Sequence, residues 1–166
     1  PIRESITVTA AGYHETTFEA VQSVTSLDAF ALSERMASSL GEVLEGESGV
    51  AKRSFGPGSS RPVIRGFDGD RVLVMKDGLR SGGLASQSGD HGEPIDPAGL
   101  ERLEVVKGPA TLLYGSNAIG GVVNAISRHH EMHKHRHEGL RGQVTSVLGS
   151  NNGHAGANFF VEYGFG

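Results

Sequence analysis

Glycine constrains the fold of this chain more than any other residue type. The 166 residues include 25 glycines, which is about twice the average usage in soluble proteins. Glycine adopts backbone conformations that other residues avoid, and its conformational freedom weakens helices. The content therefore predicts many tight turns and close backbone approaches, and no long helices.

The overall composition is that of a small globular domain and excludes several kinds of partner. With 37% hydrophobic and 20% charged residues, a chain of this length can bury one modest core. A net charge of −4 and few aromatic residues give no basic surface, so nucleic acid is not expected as a partner. The absence of cysteine excludes disulfides and thiolate sites, so a bound metal would need imidazole and carboxylate ligands.

Two targeting signals are absent from the sequence. No apolar run is long enough to predict a transmembrane helix. No basic and then apolar segment stands at residue 1, so an exported protein is expected to have lost its leader.

Hydrophobic patterning predicts short elements separated by loops. Asp28 can cap a short helix that ends near Met36, and Ser39 with Glu42 has the spacing of a capping box for a helix that ends at Gly46. Glycine and proline predict irregular loops over residues 53–62 and 81–99, and the polar residues 11–20 predict a mobile arm. Strands are predicted at 21–27, 50, 63–65, 70–80, 100–108 and 120–127, with one helical turn at 109–116.

The last 28 residues have a different pattern. From Ala157 to Phe165 alternate side chains are apolar, and "NNG" is a turn signal between two stretches of about 11 residues. That length suits a tilted membrane β-strand, so the segment is either one hairpin of a larger barrel or a hairpin on a soluble core.

A histidine-rich run, "HHEMHKHRHEG", joins these two regions. It is internal and interrupted by other residues, so it is not a purification tag. It is not an H-E-x-x-H protease motif either, because Lys134 stands where the second histidine would be. Three imidazoles share one face in either an extended or a helical conformation, and such a cluster suits zinc, copper or nickel. We interpret the run as a low-affinity metal-binding linker, with a solvated linker as the alternative; its histidines are His129, His130, His133, His135 and His137.

No pattern indicates an enzyme. The segment "GPATLLYGSNAIGG" lacks the P-loop and dinucleotide-binding motifs, and Ser116 is not in a G-x-S-x-G sequence. No pair of titratable groups has a spacing that suggests chemistry.

Two stretches carry a family resemblance. "VIRGFDGDRVLVMKDGLR" and "IDPAGLERLEVVKGPATLLYGSNAIGGVVNAIS" resemble the plug domain of TonB-dependent outer-membrane receptors, over residues 5–127. The resemblance implies an α+β fold: a small mixed β-sheet with short helices and long loops, lodged in the 22-stranded barrel that follows it. It also implies a location in the outer membrane of Gram-negative bacteria and energy-coupled import of a scarce nutrient.

The resemblance divides the chain into four parts. Residues 1–12 form an arm like the TonB box, 13–128 the plug domain, 129–138 the histidine-rich linker and 139–166 the first two barrel strands. The other twenty strands are then missing from this chain, which would be a fragment. Without its barrel, the hairpin at 139–166 has an apolar face and an open edge, so we expect self-association.

The resemblance also implies two sets of contact residues. Arg65 and Lys107 stand where plugs usually carry arginines that pair with barrel glutamates. Lysine keeps the charge but loses the bidentate fork, so its hold on the barrel should be looser. The alternative, an ordinary surface charge, is preferred for Lys107 taken alone. The residues that correspond to the TonB box, which adds as a strand to the periplasmic energiser TonB, are Ile6, Thr7, Val8 and Thr9.

The imported ligand is expected to be a transition metal ion. Outer-membrane zinc receptors of the ZnuD type have an Asp-His pair in the loop that corresponds to residues 81–99, where this chain has Asp90 and His91. Carboxylate and imidazole suit zinc, and the barrel would supply the remaining ligands. Zinc is the expected cargo, with copper or nickel next, and no cofactor is required.

Two alternatives to zinc import stay open. The first is the same receptor architecture for a larger ligand, such as a metal chelate, siderophore, haem or oligosaccharide, bound by the loops around Phe55 and Leu84. The second is a soluble periplasmic metal-binding module.

Overall fold

The chain forms two compact units, residues 1–128 and 129–166. The structure, a computed structural model, describes residues 6–7, 15–16, 23–35, 37–56, 59–88, 90–128, 138–149 and 153–164. Most of the predicted arm and the histidine run at 129–137 therefore lie outside the described residues. Over the described ranges, no helix is long and apolar enough to cross a membrane.

The first unit combines short helices with nine described strands. Single helical turns of the 3-10 type lie at Gly69–Arg71, Leu84–Ser86, Pro97–Gly99 and Ser116–Ala118. The elements in chain order are β1 (Ile6–Thr7), β2 (Glu15–Thr16), β3 (Ser23–Asp28), α1 (Ala29–Arg35), α2 (Leu40–Leu44), β4 (Val50–Ser54), β5 (Ser60–Ile64), β6 (Val72–Lys76), β7 (Leu79–Arg80), β8 (Leu100–Lys107), α3 (Thr111–Tyr114) and β9 (Gly121–Ser127).

Five of these strands form a mixed sheet in the order β3-β8-β9-β6-β7. Strand β6 runs parallel to β9, and the other neighbours are antiparallel. Strands β6, β8 and β9 are buried along most of their length, as central strands that are covered on both faces are. The predicted α+β fold with a small mixed sheet and short helices is confirmed.

Each face of the sheet has its own hydrophobic cluster. On one face, α1, α2 and the β4-β5 hairpin pack through residues such as Leu32, Leu44 and Ile64. On the other face, the segment after β8 packs through Ala110 and Ala118. The sheet is therefore the middle layer of three, which is the arrangement that buries both of its faces.

Two adjacent glycines explain why the segment before β9 is glycine-rich. A Cβ atom on Gly120 would lie 2.4 Å from Cβ of Phe67, and one on Gly121 would lie 2.3 Å from the Val106 carbonyl oxygen. Gly121 also has a φ of 153°. No other residue fits the close approach of the backbone to the sheet at this point.

The predicted caps of the two helices have different outcomes. Asp28 caps α1, because its Oδ1 accepts a hydrogen bond from Ala31 N at 2.9 Å. The capping box predicted for α2 is wrong, because Ser39 makes no side-chain cap hydrogen bond. Its hydroxyl lies 2.6 Å from the Ser60 hydroxyl instead. Glu42 accepts from the Ser38 amide and hydroxyl, one residue earlier. The tertiary partner of Ser39 thus displaces the local cap.

The β4-β5 hairpin is longer than expected. The irregular loop predicted over residues 53–62 is wrong at both ends, because β4 continues to Ser54 and β5 begins at Ser60. Pro62 pairs with Lys52 inside the ladder. A two-stranded hairpin has free edges, so the missing amide of proline costs no ladder hydrogen bond there.

The end of β9 is held by a side chain from the turn between β6 and β7. Asp77, in the turn between β6 and β7, has a φ of 53°. Its carboxylate accepts hydrogen bonds from Ser127 N at 2.7 Å and from the Ser127 hydroxyl at 2.9 Å. The last residue of β9 is therefore tied to the turn that follows its parallel neighbour.

The second unit contains one antiparallel hairpin, β10 (Gly139–Gly149) with β11 (His154–Gly164). The register places Leu140 opposite Tyr163 and Val144 opposite Phe159, so the apolar residues of both strands share one face. That face is open within the described part of the unit. Its large side chains are all at least 60% exposed: Leu140, Val144, Leu148, Phe159, Val161 and Tyr163.

Candidate functional site

The predicted TonB-binding segment is partly described. Ile6 and Thr7 form β1, which pairs with β2 in the register Ile6 to Thr16 and Thr7 to Glu15. Val8 and Thr9 lie outside the described residues. The described half of the segment thus has extended backbone, as strand addition to a partner requires, and its binding to TonB stays a prediction.

The two residues predicted to pair with the barrel lie side by side. A Cβ atom on Gly49 would lie 3.9 Å from Cγ of Arg65 and 4.0 Å from Cδ of Lys107, so both side chains pass this glycine. The Arg65 guanidinium reaches further, to 3.3 Å from a Cβ position on Gly108. The chain brings together two cations that are 42 residues apart in sequence.

The two cations differ in exposure, because Arg65 is exposed and Lys107 is buried. Lys107 is only 7% exposed, so the alternative of a surface charge is wrong for this residue. Arg65 has a φ of 49°, in the turn that follows β5. Among the residues that the structure describes, the ion pairs involve other side chains. Two like charges at one place, one of them buried, favour a carboxylate partner.

The Asp90-His91 pair is present in the segment between β7 and the turn Pro97–Gly99, which we call the 81–96 loop. His91 Nδ1 lies 3.3 Å from Asp90 Oδ1, and the side chains are 47% and 69% exposed. A hydrogen bond from the Ser88 hydroxyl lowers the pKa of Asp90, and the neighbouring His91 lowers it further. No group of three or more candidate metal ligands occurs in the described ranges, and the histidine run is not among them. The pair therefore offers two ligands to a metal.

Two loops meet beside this pair. The Ser59 hydroxyl, at the tip of the β4-β5 hairpin, donates a hydrogen bond to the Asp90 carbonyl oxygen at 3.0 Å. Phe55 is 63% exposed and Leu84 is 60% exposed, one on each of the two loops. Apolar and polar groups together form a composite surface, which we call the loop surface: Phe55, Ser59, Leu84, Asp90 and His91.

Four charged residues that the sequence did not single out form hydrogen bonds in or near these two loops: Arg53, Arg61, Asp68 and Glu93. Arg61 donates to the Ala85 carbonyl oxygen and to Asp68, which also accepts a hydrogen bond from Arg53. The Arg53 hydrogen bond, with the charge of Arg61, lowers the pKa of Asp68. Glu93 accepts from the Ser81 hydroxyl at 3.1 Å, and burial raises its pKa. Each partner is distant in sequence, so no local pattern could have revealed these contacts.

Comparison with known proteins identifies the family. The model of the TonB-dependent receptor plug domain matches residues 16–122. The vitamin B12 transporter BtuB of Vibrio vulnificus is 34% identical over 165 residues, which is 98% of this chain and 26% of that protein. The hemin receptor of Yersinia pestis is 34% identical over 122 residues, or 72% of this chain and 18% of that protein. The chain thus spans about a quarter or less of the length of these relatives.

Solved structures agree on the fold. The FpvAI-pyocin S2 complex contains a chain that matches 96% of this one with a TM-score of 0.76 at 21% identity, and the match covers 20% of that chain. At this identity the likeness shows the fold alone. Taken with the mixed sheet and the two stretches quoted above, the comparisons show that this chain belongs to the TonB-dependent receptor plug domain family and, as predicted, to an outer-membrane receptor.

Proposed function

We propose that this chain is the plug and the first two barrel strands of a receptor that imports a bulky metal chelate by TonB-dependent transport. The curated relatives include a vitamin B12 transporter and hemin receptors, and both ligands carry their metal inside an organic framework. The comparisons do not indicate zinc, so the chelate takes the place of the zinc ion as the first candidate. We retain the boundaries at residues 12, 128 and 138 as part of this proposal.

The loop surface is the observation that carries the choice of ligand. Phe55 and Leu84 are exposed on the two loops that meet at the contact between Ser59 and Asp90. Ligand sites are mostly apolar with a few polar groups that fix orientation, and such a surface suits a large chelate. A bare zinc ion gains nothing from apolar side chains and needs about four ligands, whereas a chelate brings most of its own.

Zinc import by a ZnuD-type receptor is the second candidate. The observation in its favour is the adjacency of Asp90 and His91, whose Oδ1 and Nδ1 atoms lie 3.3 Å apart. The barrel would have to supply the remaining ligands. We propose copper or nickel only as variants of this candidate.

The cation pair at Gly49 supports a contact with the barrel. Arg65 and Lys107 have no carboxylate partner in the described part of the chain, and Lys107 is buried. We propose that two carboxylates of the barrel pair with them and hold the plug. Because lysine cannot form a bidentate bond, the contact of Lys107 is the weaker of the two.

The N-terminal arm is proposed to bind TonB as an added strand. Strand addition favours β-branched side chains, and Ile6, Thr7, Val8 and Thr9 are all β-branched. A single proline at Thr7 or Val8 should abolish transport without changing ligand binding at the cell surface, because it removes a donor from the added strand.

Ligand binding by the full-length receptor tests the choice of cargo. Purified receptor is titrated with cyanocobalamin, haemin, a ferric catecholate siderophore and zinc chloride. The proposal predicts that one chelate binds, and that the double variant Phe55→Ser and Leu84→Ser weakens it about tenfold, as loss of two apolar contacts implies. Tight zinc binding that is lost in Asp90→Asn and His91→Ala, with no chelate bound, would establish the second candidate instead.

The histidine run is proposed to bind metal weakly on its own, independently of the cargo. The chain is titrated with zinc by calorimetry at pH 7.5 and pH 5.5, beside a variant with alanine at His133, His135 and His137. Neutral imidazole is the ligand, so affinity should fall as the pH drops through about 6.5, the ordinary histidine pKa. Equal zinc binding by the variant would show that the run is only a linker.

A further inference from the structure

The 81–96 loop is held by a largely buried arginine that lies outside it. Arg61, on β5, donates from Nη1 to the Ala85 carbonyl oxygen at 2.6 Å and from Nη2 to Asp68 Oδ2 at 3.2 Å. The Arg61 side chain is 11% exposed, and Ala85 is fully buried. A buried guanidinium that donates to a backbone carbonyl fixes the path of the loop, whatever side chains the loop carries.

The residues that follow β5 complete the seat for this part of the loop. Asp68 accepts the second bond of Arg61 and so orients the guanidinium. A Cβ atom on Gly69 would lie 2.9 Å from the Ser86 carbonyl oxygen, so the turn Leu84–Ser86 rests directly on the Gly69 backbone. Arg61, Asp68 and Gly69 therefore define where Leu84 stands.

The same strand also reaches the other part of the loop. Ser59, one residue before β5 begins, donates to the Asp90 carbonyl oxygen. The loop is thus held at Ala85 by Arg61 and at Asp90 by Ser59. Both contacts come from the hairpin that also carries Phe55. Loosening of Arg61 would therefore free the turn that carries Leu84 to move relative to Phe55 and to the Ser59-Asp90 contact.

We propose that Arg61 is a positioning residue for ligand recognition, which holds the two halves of the loop surface in one arrangement. The inference rests on the proposed function only in assuming that the loop surface touches the imported ligand. The positioning itself can be measured without a ligand.

Arg53 offers a matched control for Arg61. It lies on the other strand of the same hairpin and donates to the same Asp68 oxygen at 2.7 Å, but none of its described hydrogen bonds goes to the loop. Replacing either arginine with alanine leaves Asp68 with one cation. Only the replacement of Arg61 removes the bond to Ala85.

Amide hydrogen exchange in the ligand-free, full-length receptor tests the positioning. We expect Arg61→Ala to accelerate exchange at residues 84–92 about tenfold, as the loss of a hydrogen bond from a charged donor implies, with β8 and β9 unchanged. Arg53→Ala should leave the 84–92 amides within about twofold of the wild type. Equal loop exchange in Arg61→Ala and the wild type would overturn the inference.

A second variant keeps the test decisive if Arg61→Ala also loosens β8 and β9. Arg61→Lys retains the charge and the stem, but a single ammonium cannot replace both arms of the fork. We expect several-fold faster exchange in the loop with wild-type exchange in β8 and β9. Loop exchange identical to the wild type in this variant would contradict the role of the fork.

Binding of cyanocobalamin and haemin to the same variants separates the two proposals. Where one of these probes binds the wild type, Arg61→Ala should weaken it about tenfold more than Arg53→Ala does. Equal effects of the two variants would overturn the role of Arg61 in recognition. Absence of binding of either probe to the wild type, together with faster loop exchange in Arg61→Ala, would count against the proposed ligands while supporting the positioning by Arg61.

Discussion

The mixed sheet and the β10-β11 hairpin both carry apolar side chains, but they differ in how far these side chains are buried. In β8 and β9 nearly every position is buried, including Leu103, Val105 and Val123. In the hairpin, Val144 and Phe159 leave at least 70% of their area exposed. Other elements of the first unit cover both faces of the sheet. In the described part of the second unit, the apolar face of the hairpin is exposed. An exposed apolar strand face of this extent marks an interaction site.

The largest effect should come from filling the closest approach in the packed unit. Gly120→Ala places a Cβ atom 2.4 Å from Phe67, and overpacking of this kind costs about 1–3 kcal/mol. We expect a loss at the upper end of that range in chemical denaturation of the 166-residue chain, followed by far-ultraviolet circular dichroism.

Gly99→Ala is the control for this substitution. A Cβ atom there would meet nothing within 4 Å, so the free energy of unfolding should change by less than about 0.5 kcal/mol. Equal losses in the two variants would show that the backbone approach at Gly120 is not tight.

The next effect concerns the open face of the hairpin. We predict that the 166-residue chain self-associates through this face, because the described part of its unit leaves the face exposed. The double variant Phe159→Ser and Val161→Ser should weaken association about tenfold or more, as loss of two large apolar contacts implies. Sedimentation velocity over a range of concentrations measures this.

Gln143→Ala is the matched control on the opposite face, where Gln143 is exposed and pairs with Phe160. Its association should equal that of the parent chain. A parent chain that remains monomeric at high concentration would refute the prediction for the hairpin as a whole.

A smaller effect should follow the loss of a local contact in the packed unit. Asp28→Ala removes the acceptor for Ala31 N, and the loss of such a cap costs about 1 kcal/mol. The midpoint of denaturation should fall for this variant and stay nearly constant for Glu34→Ala, an exposed residue of the same helix. If both variants are equally stable, the helix is held by packing alone.

The smallest effect is a pH dependence at the base of the 81–96 loop. Burial raises the pKa of Glu93, so the folded state binds the proton more tightly than the unfolded state does. The contribution of protonated Glu93 to the stability of the folded state is complete below its ordinary pKa near 4.5. It is lost as the pH rises through the pKa of Glu93 in the folded state. Glu93→Gln should therefore gain stability relative to the parent between pH 4 and pH 7. A constant difference in unfolding free energy across this range would contradict the buried environment of Glu93.

How far the fold could be predicted depends on whether a feature is local. The cap at Asp28, the end of α2 before Gly46 and the strand around Val74 follow from neighbouring residues, and the structure confirms them. The capping box at Ser39 failed because Ser60, distant in sequence, takes its hydroxyl.

The candidate site follows the same rule. Asp90 and His91 are adjacent in sequence and could be singled out as a pair. Arg61 could not, because its partners at Asp68 and Ala85 meet it only after the hairpin and the loop have folded. Lys107 was recognisable by its motif, but its burial beside Arg65 depends on the sheet.

The Asp77 contact with Ser127 gives the mixed sheet a mechanical polarity. Strand β3, which follows the N-terminal arm, lies at an edge of the described sheet and is bonded to β8 alone. Strand β9, from which the chain leaves the unit, lies between β8 and β6 and is fastened at its end by Asp77. Tension applied through the arm would therefore break only the hydrogen bonds between β3 and β8. Tension applied beyond residue 128 would have to break the hydrogen bonds of β9 to both β8 and β6, together with the Asp77 contacts.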